Sequence, residues 1–178
     1  MPAPDAEIEI LFSAAEIASR IGELAEEIAA DSGPDLLVVA ILKGSFVFAA
    51  DLVRALHQTG LKPEIDFITL SSYGAGTESS GRVAVLRDIA AEPAGRRLLL
   101  IDDILESGRT LAFAREELTR RGAEVRTCVL LDKRGKRKAE IEADHVGFAC
   151  PDRFVVGYGL DYAHYFRELP YIGTVEQR

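Results

Sequence analysis

The chain predicts an α/β fold built on a sheet whose middle strands run parallel. Three observations carry this. Leu36 to Leu42 (LLVVAIL) and Leu98 to Ile101 (LLLI) are apolar runs without polar alternation, the pattern of strands covered on both faces. Each run is followed by a helical pattern and then by another strand pattern, so strands and helices alternate along the chain. Each run also ends in charged or small residues, Lys43-Gly44 after the first and Asp102-Asp103 after the second. In open sheets of this class, ligands sit outside the carboxyl ends of the strands.

The elements follow in order. Ser13 with Glu16 fits a capping box, and Ile17, Ile21, Leu24 and Ile28 continue at helical spacing until Asp31-Ser32-Gly33-Pro34 stops the helix. Leu36 to Leu42 is the first buried strand, and Lys43-Gly44-Ser45 is a tight turn. Phe46 to Gln58 is an amphipathic helix, with Gly60 placed to end it. Glu64 to Ser71 alternates as a half-buried strand. Gly74 to Gly81 (GAGTESSG) is small and polar; it reads as a plain hairpin loop or as a lid that orders over a ligand. Arg82 to Asp88 returns from it as a strand, and Glu92 to Gly95 turns the chain into the central strand. That strand ends in an acidic tip, Asp102-Asp103, and a helix follows over about Thr110 to Arg121. Glu124 to Leu131 is the next strand. Lys133 to Lys138 (KRGKRK) puts five cations in six residues, most of them expected to be solvated. His145 to Cys150, Arg153 to Tyr158 and Tyr171 to Val175 are short strands, expected to form an antiparallel extension over one end. No repeat or linker divides the chain, so 1–178 reads as one domain.

The bulk composition narrows the function classes. Apolar residues make up 48% and charged residues 28%, ordinary values for a globular protein, while a formal net charge of −8 argues against general affinity for nucleic acid or anionic membranes. Any phosphate site must therefore rest on local amides and a few placed cations. Cys128 and Cys150 fit no zinc or redox spacing and read as buried structural thiols. The first ten residues show neither a basic n-region nor an apolar h-region, and no apolar run approaches bilayer length, so a cytoplasmic location is expected.

Leu98 to Leu111 (LLLIDDILESGRTL) concentrates the chemistry. Carboxylates at Asp102 and Asp103 suit a vicinal diol or magnesium. Ser107, Gly108, Arg109 and Thr110 offer hydroxyls and successive amides at a helix N-terminus, a seat for a phosphate monoester. A ligand that needs both is a phosphorylated sugar with free hydroxyls. Either feature alone reads more readily as structure, a helix cap or a solvated strand end.

This stretch resembles the phosphoribosyl pyrophosphate (PRPP) motif of type I phosphoribosyltransferases. The segments LLDKRGKRK and VGFACPDRFVVGYGLDYAHYFRELPYIG, with ILKGSFVFAADL and SSYGAGTESSG, resemble the bacterial-type hypoxanthine(-guanine) phosphoribosyltransferases over about Leu36 to Val175. The resemblance implies a type I fold: a mostly parallel central sheet flanked by helices, a small antiparallel hood from the N- and C-terminal segments, and a flexible lid over about 72–82 opened by Ser72 and Tyr73. It implies transfer of a 5-phosphoribosyl group from PRPP to N9 of a 6-oxopurine. Asp102 and Asp103 would contact the ribose, and Ser107 to Thr110 the 5′-phosphate. The Leu42-Lys43-Gly44 turn, with a cis peptide, and Arg167 would contact pyrophosphate. Lys133 would donate to the purine 6-oxo group, Phe154 would stack on the ring, and the Val155 carbonyl would face position 2. Asp161, with Asp102 and Asp103, would serve Mg2+. A homo-oligomer, dimer or tetramer, is implied, with no nucleic-acid or membrane partner.

One position departs from the family: Glu106 stands where the family has aspartate. It is expected to remain the acid/base at purine N7. A xanthine-preferring or other type I transferase is the alternative within the superfamily. A PRPP-sensing regulator that binds RNA or DNA is the alternative outside enzymology, and the acidic charge weighs against it.

Overall fold

In the computed structural model, which describes residues 7–72 and 83–175, strands and helices sort into two sheets and their covering layers. The elements are β1 (Ile8–Phe12), α1 (Ala14–Asp31), β2 (Leu37–Leu42), α2 (Phe46–Gln58), β3 (Glu64–Ser72), β4 (Val83–Arg87), β5 (Arg97–Leu105), α3 (Arg109–Arg120), β6 (Glu124–Asp132), β7 (His145–Ala149), β8 (Val155–Val156) and β9 (Ile172–Val175). The main sheet has the order β4-β3-β2-β5-β6-β7. It is parallel from β3 to β7, and β4 runs antiparallel at one edge. β1, β9 and β8 form a separate antiparallel sheet, the expected hood.

The unbroken apolar runs are explained by two cores. Val38, Ala40, Leu99, Ile101, Cys128 and Leu130 pack on the face covered by α1 and α2, whereas Leu37, Val39, Leu98, Leu100 and Val129 pack on the face covered by α3. Successive side chains point to opposite faces, so a sheet covered on both sides leaves no position for a polar residue. The α1 capping box forms: Glu16 N donates to Ser13 Oγ at 3.3 Å, and Ser13 N donates to Glu16 Oε2 at 2.8 Å. Such a cap contributes about 1 kcal/mol. Cys128 and Cys150 are free and buried, and burial pushes both thiols up, so neither is a ready thiolate. Among the described residues, no helix is long and apolar enough to cross a membrane.

Three local expectations are corrected. β5 does not end in an acidic tip: Asp102 pairs with Val129 and Leu105 with Asp132, so the ladder with β6 carries the strand past both aspartates. The helix expected from about Thr110 is α3, which begins at Arg109 behind Gly108, whose φ of 79° only glycine adopts without cost. β7 joins the main sheet in parallel and is no part of the antiparallel hood, because Cys128 to Asp132 offers it a free ladder edge. Finally, Arg137 of the basic run is only 18% exposed and fully engaged, not solvated. Tyr73 and the Gly74 to Gly81 loop lie outside the described residues, and of Ser72 only the backbone, at the end of β3, is described.

Candidate active site

The carboxyl ends of β2, β3, β5 and β6 open onto one crevice with two lobes, because parallel strands place all these turns at the same edge. The first lobe, about 290 Å³, lies between the turn after β2 and the turn after β5; Leu42, Lys43 and Gly44 face Asp102, Asp103, Glu106, Ser107, Gly108 and Thr110 across it. The second lobe, about 720 Å³, adds Lys133, Phe154, Val155, Asp161 and Arg167. Leu42, Lys43, Gly44, Asp103 and Glu106 border both lobes. Arg109 borders neither, but its amide donates to Ser107 Oγ at 3.4 Å.

The Leu42–Lys43 peptide is cis. Gly44 follows it in close contact with Asp103: a Cβ there would lie 1.7 Å from Asp103 Oδ2 and force that carboxylate aside. The turn after β2 is thus pressed onto the acid pair. Asp102 is 8% exposed. Burial and the neighbouring Asp103 charge push its carboxyl well above the usual range; burial raises Asp103 as well, opposed by backbone N–H bonds and by Arg167. Desolvation and the neighbouring Asp103 therefore make the ionised form of Asp102 costly to the free protein. The sign follows from linkage: an acid whose folded pKa is raised stabilises the fold when protonated and loses that contribution as pH rises through the unfolded value toward the folded one. Asp102→Asn is therefore expected to raise the melting temperature at pH 7, by roughly 2–4 °C for each kcal/mol of relieved repulsion. The gain should vanish below about pH 4, where the wild-type carboxyl is protonated in both states, and turnover should fall. Thermal melts at the two pH values check this.

Lys133 is placed by the end of β6. Its amide donates to the Leu105 carbonyl at 2.9 Å, and Cys150 N donates to the Asp132 carbonyl at 2.8 Å, which fixes the backbone on both sides. Its side chain is 6% exposed, with Nζ 2.9 Å from Glu106 Oε1 and 3.6 Å from Asp152 Oδ1. Lys136 Nζ lies 3.6 Å from the same Glu106 oxygen. The Glu106 side chain is 37% exposed, and its carboxylate pairs with both ammonium groups. Asp152, Lys136 and Arg137 had not been singled out from the sequence; Asp152 lies in the Pro-Asp turn before Phe154, a spacing that gives no hint of its reach to Lys133.

The far wall is aromatic and ionic. Phe154 is 38% exposed and meets Tyr162 edge-on, with ring centroids 5.6 Å apart. Arg167 Nη2 lies 2.7 Å from Asp161 Oδ1, and its Nη1 donates to the Gly159 carbonyl at 2.5 Å. His164 N caps Asp161 Oδ2 at 2.7 Å. This segment carries backbone strain: Ala163, His164 and Phe166 all have φ between 51° and 73°. It is anchored to α2 by the Tyr158 hydroxyl, which donates to the Asp51 carboxylate. Among the described residues, no three acidic, histidine or cysteine side chains converge as a preformed metal cluster.

Comparison with known proteins agrees with this geometry. Residues 7–163 match the family model described as phosphoribosyl transferase domain. The chain is 42% identical to the hypoxanthine phosphoribosyltransferase of Escherichia coli (strain K12) over 172 residues, covering 94% of this chain and 95% of the relative. It is 42% identical to the hypoxanthine-guanine phosphoribosyltransferase of Mycobacterium avium over 177 residues, covering 95% and 86%. A crystal structure of a hypoxanthine phosphoribosyltransferase from Staphylococcus aureus superposes with a TM-score of 0.88 at 42% identity, covering 94% of this chain and 91% of that one. Agreement of this depth along nearly the whole chain, in sequence and in fold, makes it a member of the phosphoribosyl transferase domain family, among the hypoxanthine and hypoxanthine-guanine phosphoribosyltransferases.

Proposed function

We propose that the chain transfers the 5-phosphoribosyl group of PRPP to N9 of hypoxanthine, and of guanine, giving IMP or GMP and pyrophosphate. One observation carries the reading: an acid pair with Asp102 buried and a phosphate-seating turn share a crevice with a buried lysine and an exposed aromatic wall. The ribose hydroxyls donate to Asp102 and Asp103. The 5′-phosphate takes the amides and hydroxyls of Ser107 to Thr110, where the first-turn N–H groups of α3 have no intrahelical acceptor. Pyrophosphate lies against the Leu42-Lys43-Gly44 turn and Arg167. The purine stacks on Phe154, with Lys133 donating to its 6-oxo group and the Val155 carbonyl at position 2. Ser72 and Tyr73 open the lid that keeps water from the reacting carbon.

Breaking the C1–O bond puts positive character on the ribose and negative charge on pyrophosphate. The acid pair suits the first, and Arg167 with the backbone amides suits the second. N9 attacks C1 while Glu106 accepts the proton of N7. The donor set fits magnesium. The buried Asp102 carboxylate stands beside half-buried Asp103, and Asp161 borders the same lobe as Asp103. Magnesium is commonly held by one or two carboxylates together with substrate phosphates and waters, which needs no preformed protein cage. When bound, it neutralises the charge that gathers on the departing pyrophosphate. The exposed Phe46 and Ile65 support a homo-oligomer, a dimer or tetramer, and a cytoplasmic location completes the reading.

The test is the specificity constant for four bases with PRPP. Hypoxanthine and guanine are expected to react, xanthine poorly and adenine not at all. Adenine carries a donor at position 6, and two opposed donors leave a buried group unsatisfied at about 1–3 kcal/mol. A preference for adenine overturns the placement of Lys133.

A further inference from the structure

The basic run holds one side chain that the reaction scheme leaves out. Arg137 bonds to three separate segments. Its Nε donates to the Glu106 carbonyl at 3.1 Å, its Nη2 to the Leu105 carbonyl at 3.3 Å and to the Asp132 carboxylate, and its Nη1 to the Ile141 carbonyl at 2.6 Å. The Ser107 carbonyl accepts from the amides of Lys138 and Ala139, at 2.9 and 3.0 Å. Three successive carbonyls of the turn after β5 are thus drawn toward the loop after β6. In a planar trans peptide the C=O and N–H point opposite ways. The amides that follow the Glu106 and Ser107 carbonyls, those of Ser107 and Gly108, therefore turn away from that loop, on the side where these two residues line the crevice. The fit is close: a Cβ on Gly108 would lie 2.7 Å from Ile141 Cγ2.

The geometry points to Arg137 as a positioning residue for the phosphate-seating turn. Its guanidinium holds the Leu105 and Glu106 carbonyls in one frame with Asp132, the residue before Lys133, and so sets the phosphate seat and the purine-reading strand end relative to each other. This rests on the reading that the turn binds the 5′-phosphate of PRPP. A lysine keeps the charge but lacks the planar fork that reaches these four acceptors on three segments. Charge and positioning are therefore separable by substitution.

Arg137→Lys and Arg137→Met are compared with the wild-type protein by steady-state kinetics, by calorimetric titration with PRPP and by thermal melting. In Arg137→Lys, the KM and dissociation constant for PRPP are expected to rise about tenfold, the scale of one or two lost hydrogen bonds. Its kcat should fall less than its PRPP affinity, because the 5′-phosphate is held alike in ground and transition states. Arg137→Met should show a larger rise. If Arg137→Met does not fold, Arg137→Lys alone decides. Unchanged PRPP affinity in Arg137→Lys overturns the positioning role, whatever the melting temperature does. Wild-type protein that does not bind PRPP overturns the phosphoribosyl reading and this role with it, whereas wild-type binding with unaffected variants overturns the role of Arg137 alone.

Discussion

Lys133→Met is expected to lower kcat/KM for hypoxanthine about a hundredfold and to erase most of the discrimination against adenine. A hydrogen bond from a charged donor to a buried acceptor contributes about 1.5–3 kcal/mol, and each 1.4 kcal/mol is tenfold. Lys133 is suited to deliver that much because its Nζ is already desolvated and aimed: the side chain is 6% exposed, and Glu106 and Asp152 hold it from two sides. Methionine keeps the length of the stem and removes the ammonium, so packing against the end of β6 survives. Adenine, whose 6-amino group is expected to meet another donor in the wild type, meets none in the variant. Its specificity constant should rise even as that of hypoxanthine falls. Kinetics with both bases at saturating PRPP measure the two changes. A uniform fall for both would show that Lys133 supports the fold of the crevice and does not read position 6.

The parts of this architecture that were legible are those whose cause is local or periodic. β2 and the first half of β5 declare themselves because burial on both faces forbids polar positions, and the Ser13–Glu16 cap because its two bonds lie within one turn. Phe154 shows where composition alone fails. An isolated phenylalanine among valines reads as core, yet the resemblance placed it against the base and the structure leaves it 38% exposed in the crevice. Arg137 shows the limit of both approaches. A run of five cations reads as solvated because its acceptors, the Leu105 and Glu106 carbonyls, lie about thirty residues away in a turn whose geometry depends on the register of β5 against β6. The same register extends β5 through Asp102 and Asp103, so the expected strand tip lies inside the ladder. Tertiary pairing decided these positions, and no spacing in the chain encodes it.

Glu106→Gln is expected to lower kcat about a hundredfold or more, the scale of a lost general base, with a smaller change in KM for hypoxanthine. The structure sharpens what this measures, because Glu106 has two candidate partners. In the free site its carboxylate lies 2.9 Å from Lys133 Nζ, so it neutralises the cation proposed to read the 6-oxo group. In the proposed reaction it turns to N7 and accepts a proton as N9 attacks. These roles separate in the kinetics. A base acts only as the proton moves, so its loss lowers kcat and kcat/KM together. A counter-ion competes with the purine for Lys133, so its loss lowers KM and leaves kcat alone. Glu106→Asp distinguishes them again: it keeps a carboxylate at N7 but retracts it by one methylene from Lys133. Turnover within about tenfold of wild type is expected there, the low end of general-base effects being larger than that. Wild-type kcat in Glu106→Gln would remove Glu106 from the chemistry and leave it only the pairing with Lys133.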